Sequence, residues 1–203
     1  MNEPNEQGRA AVSAAYHQFL IRDDEGSLGP DLPAHHNGLV HLQDGEGYVH
    51  TGIHSGDVEV TVTMHRTEPA PDPGPWQEIV EISLNSASGQ MEVRNMMTDM
   101  EEELPALSFD GPGHYRVRIH ARGRDTAVDL TPEQITEWYL IQAWPAPPGP
   151  PTVLAAADQY GSGIRARVPD PDATVMGPTR RLSTNPVQRR LEAGETGIPR
   201  RLP

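Results

Sequence analysis

Residues 58–65 read Val-Glu-Val-Thr-Val-Thr-Met-His, a strict alternation of apolar and polar side chains. Such a period-2 pattern fits a β-strand with one face against a core and the other turned away from it. Val58, Val60, Val62 and Met64 fall on the inward side; Glu59, Thr61, Thr63 and His65 fall outward. The same period returns in short pieces along the chain. Tyr16–Arg22, Leu39–Gln43, Tyr48–His54, Glu78–Leu84, Gln90–Arg94 and His114–Ala121 each read as a strand, with turns rich in Gly, Pro, Asn and Asp between them. Trp138–Trp144 is apolar on both faces and reads as a central strand covered on both sides. One helical start is visible: Thr131-Pro-Glu-Gln134 offers a hydroxyl cap, Pro at the first helical position and Gln at the third.

About eight short strands with little helix predict an all-β fold, a two-sheet antiparallel β-sandwich or jelly roll, with a barrel as the alternative closure. The domain boundaries follow from where the large side chains lie. Nine of the ten Phe, Trp and Tyr residues precede residue 150. Pro145-Ala-Pro-Pro-Gly-Pro-Pro151 then reads as a stiff linker. The expected division is a frayed N-terminus over 1–14, a β-sandwich over 15–145, and a Pro-rich linker with a basic, disordered tail over 146–203.

Charge divides at the same place. Residues 1–150 hold 8 Arg and 24 Asp plus Glu, a net −16; residues 151–203 hold 8 Arg and 5 acids, a net +3. A domain this acidic repels phosphates and anionic membranes, so neither nucleic acid nor membrane is its expected partner. The Arg-rich tail could take an anionic one. Cys is absent, which excludes disulfides, thiolate metal sites and cysteine catalysis. All 16 basic residues are Arg. Neither a signal-peptide pattern nor a membrane-length apolar run is present, so the expected location is the cytoplasm.

The chemistry-bearing pattern that stands out is a stripe of cations. His114, Arg116, Arg118 and His120 share one face of a strand, and Arg122-Gly-Arg124 follows at its end. Guanidinium forks in such a row could grip a carboxylate or phosphate. The ordinary alternative is cross-strand pairing with acids such as Glu59, Glu78, Glu81 and Glu92. Trp76, Trp138 and Trp144 offer a stacking surface for a small ligand or carbohydrate. Arg116, Arg118, His120, Arg122, Arg124 and Trp76 are therefore the candidate binding residues. Catalytic residues, cofactors and metal ligands are not expected. His35, His36 and His41 cluster loosely, and His50 and His54 lie on one strand too far apart for a single metal. The acidic run Asp99–Glu103 could mimic nucleic acid for a basic partner, or be a solvated loop. No nucleophile elbow or phosphate loop occurs.

The segments Gly113–Asp125, Glu137–Pro145 and Trp76–Leu84 resemble an uncharacterised β-sandwich family of high-GC bacteria. The strand order, with Gly113 and Tyr115 opening a strand, is distantly similar to the competence protein J family, which includes a nuclease inhibitor. That resemblance implies a protein-binding, inhibitor- or immunity-like role with an unknown protein partner, and brings no catalytic residues. A small-ligand-binding domain is the alternative, and an enzyme of unrecognised class comes third.

Overall fold

The computed structural model describes residues 6–24, 37–43, 46–97 and 104–167. Ten strands and one short helix follow in chain order: β1 Glu6–Ala15, β2 Gln18–Asp23, β3 Val40–Gln43, β4 Glu46–His50, β5 Ser55–Met64, β6 Glu78–Ser86, β7 Met91–Arg94, β8 Gly113–Arg122, β9 Trp138–Pro145, β10 Thr152–Ala156 and α1 Gln159–Ala166. Hydrogen bonding links the strands in the order β10-β6-β8-β9-β5-β1-β2-β4-β3, and β7 pairs with the other side of β2. The all-β expectation holds, but the two-sheet antiparallel form does not. The strands form one curled, mixed sheet that closes halfway to a barrel. In its middle, β5 and β9 run parallel, from Glu59 opposite Trp138 to Met64 opposite Ala143.

The curl comes at the β1–β2 hairpin. Only Ala15 and Gln18 pair across it; β2 then leaves β1 and pairs with β4 and β7. The inward faces of both halves meet in one core. Val58, Val60, Val62 and Met64 of β5 are fully buried there, as the alternation predicts. Phe19 and Ile21 of β2, Val117 and Ile119 of β8, and Tyr139 and Ile141 of β9 fill the same space. β9 lies between β8 and β5 and is buried at six successive positions, matching its two-sided apolar pattern.

Three expectations fail. Residues 6–15 are not frayed: they form β1, paired with β5 at ten successive positions. Its inward residues are Ala10, Val12 and Ala14, so the signal is period 2 in small side chains with little hydrophobic weight. The helix expected at Thr131 does not form. A turn or two cannot repay its nucleation cost, and Glu137 is instead drawn into the interior. The ordered fold also does not stop at Pro145. β10 pairs with β6, and α1 begins at Asp158, whose side chain caps it by accepting from Gly161 N at 2.7 Å. Residues 29–33, His35, His36, Asp99–Glu103 and the tail from 168 onward lie outside the described residues. Among the described residues no helix is long and apolar enough to cross a membrane.

α1 is held by charge in the interior rather than by apolar area. Arg124 is wholly buried and donates to Asp158 from Nε at 2.6 Å and from Nη2 at 2.9 Å. Its Nη1 donates to the carbonyls of Gly38 at 3.0 Å and His50 at 3.3 Å. Arg165 of α1 forks onto the buried Glu78 of β6 at 2.6 and 3.0 Å. Beside them, Glu137 accepts from Tyr139 Oη at 2.6 Å and from the backbone N–H groups of Ile53 and Gly52 at 2.7 and 3.2 Å. Residue 52 must be glycine, because a Cβ there would sit 1.9 Å from the Arg124 carbonyl oxygen.

Asp158→Ala is expected to cost about 3–5 kcal/mol, because it leaves the Arg124 cation buried without its main partner. Glu59→Ala removes the partner of the exposed Arg9 and is expected to cost about 1 kcal/mol or less. Urea unfolding of the two variants against the parent chain measures the contrast. Truncation after Pro151 removes Asp158 and Arg165 together and is expected to abolish a cooperative transition.

Candidate functional site

The cation stripe lies on the outer face of β8, between β6 and β9. Register places Arg116 opposite Ser83 and Trp144, Arg118 opposite Glu81 and Gln142, and His120 opposite Ile79 and Leu140. The guanidinium groups are committed to neighbours. Arg116 donates to Glu81 at 2.8 Å, to Ser83 Oγ at 3.0 Å and to the carbonyls of Gly149 and Pro150 at 3.2 and 3.0 Å. Arg118 donates to Glu81 at 2.7 Å, the Pro69 carbonyl at 2.8 Å, Gln142 Oε1 at 3.1 Å and Glu68 at 3.2 Å. Its guanidinium also lies 5.0 Å from the centre of the Trp144 ring. Two cations on Glu81 outweigh the burial that favours its protonated form, and its pKa ends below the ordinary value. Arg116 and Arg118 thus cross-brace strands and fasten the loop at Pro69 and the segment at 149–150.

The other candidates divide. Arg124 points into the interior, in the network that holds α1, and does not share the stripe's face. Arg122 keeps partial exposure, stacked 4.2 Å from the Trp138 ring centre and 5.8 Å from that of Trp76. Trp76 donates from Nε1 to Asp72 at 2.7 Å and leans on His120, with ring centres 5.4 Å apart. His120 is fully buried; its Nδ1 lies 3.1 Å from the Leu140 carbonyl and its Nε2 has no hydrogen-bond partner. The structure therefore brings Trp76, His120, Arg118 and Arg122 together, but as a packed, internally neutralised face. Of the histidines considered as metal ligands, His41 and His50 stack with Nδ1 3.0 Å from Nε2. His54 lies elsewhere, against Tyr16 and His17.

A second assembly, not singled out in the sequence, forms where three connections meet at one end of the sheet. The β1–β2 turn is only Tyr16-His17, and both residues have left-handed backbones, φ 53° and 64°. Two-residue hairpins of this kind ordinarily use Asn-Gly. The third non-glycine residue with positive φ among those described, Asp129 at 61°, comes from the β8–β9 connection and touches the turn. His17 Nε2 lies 3.2 Å from Asp129 Oδ1. Segment 51–54 runs between the two: His17 N donates to the His54 carbonyl and Thr51 N to the His17 carbonyl. On its other side, Asp129 N donates to the Gly52 carbonyl and His54 N to the Leu130 carbonyl.

These bonds hold the three strained residues in place. They also lift apolar side chains into solvent: Tyr16 is 63% exposed, Leu130 60% and Val128 44%. Tyr16 packs edge-on against His54, and His17 lies between His54 and Tyr160 of α1. Strain of about 1–3 kcal/mol per residue persists only where surroundings over-determine it, and collects at functional sites. The sequence signal was present as a Tyr-His pair at a hairpin turn, but reading 16–22 as an unbroken strand concealed it.

Burial lowers the His120 imidazole from 6.5 to about 4; Arg118 adds to the drop, and the Leu140 carbonyl opposes it. Between those two pH values the unfolded chain binds a proton that the folded chain does not, so stability falls as pH drops from about 6.5 to 4 and is level below. The expected loss is about 3 kcal/mol, most of it by pH 4.5. His120→Phe is expected to remove this dependence. The difference between parent and variant, measured by urea unfolding at pH 7 and 4.5, isolates it from Glu78 and Glu137. Burial raises those two carboxyls, which gives their contribution the opposite sign.

No family model matches the chain. No curated protein matches it either. Among solved structures it is similar to ComJ of Bacillus subtilis, an inhibitor of the DNA-degrading activity of NucA. The identity is 12% and the TM-score 0.47, over 72% of this chain and 99% of that one. It is also similar to the protein of crocagin biosynthetic gene J, at 15% identity and TM-score 0.42, over 70% of this chain and 98% of that one.

Proposed function

We propose that this chain is a non-enzymatic, cytoplasmic protein-binding module, inhibitor-like in action, which engages its partner through the Tyr16–Leu130 tip. The observation that carries this reading is the coincidence of backbone strain with solvent-exposed apolar side chains. Tyr16, His17 and Asp129 hold unfavourable φ values at the place where Tyr16, Val128 and Leu130 stand out of the surface. A rigid, exposed Tyr flanked by aliphatic groups is a typical interface anchor, because it contributes large contact area at little cost in conformational entropy. The acidic balance of residues 1–150, net −16, favours a basic partner. The stripe supports the non-enzymatic part: Arg116 and Arg118 are engaged by carboxylates and carbonyls of their own fold, which leaves them poorly placed to grip a substrate anion.

The double substitution Tyr16→Asn, His17→Gly tests the reading through two measurements of opposite sign. It gives the hairpin the residues its geometry prefers, so the unfolding free energy is expected to rise by about 1 kcal/mol. Partner recovery is expected to fall at least tenfold in quantitative affinity purification from the native cell, with parent and variant as baits. The recovered protein's activity, nuclease activity included, is then assayed with and without the chain for inhibition. Equal recovery of the same proteins by both baits overturns the proposal.

A further inference from the structure

At the other end of β5 the chain folds back over the outer sheet face as a loop stiffened by Pro69, Pro71, Pro73 and Pro75. Between this loop and the strands lies a cavity of about 480 Å³, within the range of small-molecule sites. Trp76, Leu140 and the faces of Pro69, Pro71 and Pro73 give it apolar walls. Its polar groups come from Gln7 of β1, Thr61 and Thr63 of β5, Gln142 of β9, and His65 and Asp72. Two of these are prepared for a ligand. His65 is 5% exposed; its Nε2 lies 3.1 Å from Thr63 Oγ1, and its buried Nδ1 has no hydrogen-bond partner. Buried polar groups are ordinarily paired, and this unpaired nitrogen belongs to a ring that forms part of the cavity wall. Asp72 is fixed against the indole edge, because its Oδ1 accepts from Trp76 Nε1 at 2.7 Å and Gly74 N at 2.8 Å.

The electrostatics select the ligand. Arg118 runs beneath this face, but its guanidinium is committed to Glu81, Glu68, Gln142 and the Pro69 carbonyl. Burial, aided by the Arg118 charge, lowers the His65 pKa and favours its neutral form. The lining therefore offers one carboxylate and no cation, which disfavours anions. Indole and proline faces accept C–H surfaces, while hydroxyl, amide, imidazole and carboxylate groups accept and donate around a ring of hydroxyls. We infer that the cavity beneath the proline loop is a binding site for an uncharged sugar ring, packed on Trp76 and hydrogen-bonded by Asp72, His65, Thr61 and Gln142. The site shares no residue with the Tyr16–Leu130 tip and does not depend on it.

Saturation-transfer NMR on the full chain tests this with glucose, galactose, mannose, xylose and N-acetylglucosamine. Adenosine and glucose 6-phosphate serve as heteroaromatic and anionic comparators. At least one neutral sugar is expected to give a saturable signal, weakened at least tenfold by Trp76→Ala. Asp72→Asn keeps an acceptor for the indole N–H while removing the charge, and is expected to weaken binding at least threefold with circular dichroism unchanged. The Tyr16→Asn, His17→Gly variant is expected to bind sugar like the parent chain. The inference is overturned if no neutral sugar gives a signal, if Trp76→Ala binds equally, or if adenosine or glucose 6-phosphate is preferred over every sugar.

Discussion

The buried contact between Arg124 and Asp158 fixes more of this structure than any other single interaction. A guanidinium cannot discard its charge in a protein, so its burial obliges the fold to surround it with acceptors. Those acceptors come from separate parts of the chain. Gly38 lies just ahead of β3, His50 ends β4, and Asp158 caps α1. One side chain thereby ties the β3–β4 edge of the curled sheet, the end of β8 and α1. Glu78, 4.0 Å from Arg124, carries the connection onward to Arg165. The fold has a real apolar core, yet the attachment of β10 and α1 is largely polar. The exposed pattern of β10, with Val153 and Leu154 almost half exposed, shows how little apolar area holds that end.

The outer sheet face follows a related logic. Polar residues on a strand usually mean solvent, and the alternation over 58–65 puts Thr63 and His65 outward; for β8 the ordinary reading is cross-strand pairing with acids such as Glu81. Here the proline loop covers much of that face, so Thr63, His65, Arg118 and His120 are buried although they occupy outward positions. Charges placed there had to be matched by the fold itself. Glu81 sits between Arg116 and Arg118, and Trp138 and Trp144 supply π-faces to Arg122 and Arg118. The stripe that looked most like a ligand grip is largely the means by which two strands, a loop and the segment at 149–150 are fastened together.

What was legible in the sequence is what period 2 and residue size encode locally. The core faces of β5, β6 and β8 were readable from Val, Ile and Met alternation, and the two-sided burial of β9 from its unbroken apolar run. β1 was missed because Ala10, Val12 and Ala14 carry the right period with too little hydrophobic weight. α1 was missed because its stability resides in partners far along the chain: Arg124 lies 34 residues before Asp158, and Glu78 lies 87 before Arg165. A short segment with two glycines, Gly161 and Gly163, has only the Asp158 cap as a local reason to be helical. The parallel pairing of β5 and β9 was equally hidden, since alternation says which face is buried and nothing about which neighbour a strand takes. For the candidate site, alternation put His114, Arg116, Arg118 and His120 on one face of β8, while the contact of Trp76 with His120 is made by the fold and has no local signal. The strained tip was concealed because 16–22 reads as one unbroken strand and the positive φ at Tyr16, His17 and Asp129 is imposed by hydrogen bonds from other segments.

The tip and the buried ion pair are physically one system. Tyr160 stands on the first turn of α1, 5.4 Å from the Arg124 guanidinium on one side and stacked 6.1 Å from His17 on the other. Asp125, the residue after Arg124, accepts from Gln159 N and Tyr160 N at 2.8 Å each and so docks that turn directly. The path from the interior charge to the exposed tyrosine is therefore short and continuous: Arg124, Tyr160, His17, Tyr16. A turn with both residues in the left-handed region would relax if its surroundings loosened, since neither Tyr nor His favours that conformation. The stacking of Tyr160 and the bonds from segment 51–54 prevent this. Segment 51–54 is itself held by Glu137, which accepts from Gly52 N and Ile53 N in the same buried cluster. The energy needed to keep Tyr16 rigid and exposed thus comes from polar groups placed in the interior, where a carboxylate or guanidinium exerts its strongest directional pull.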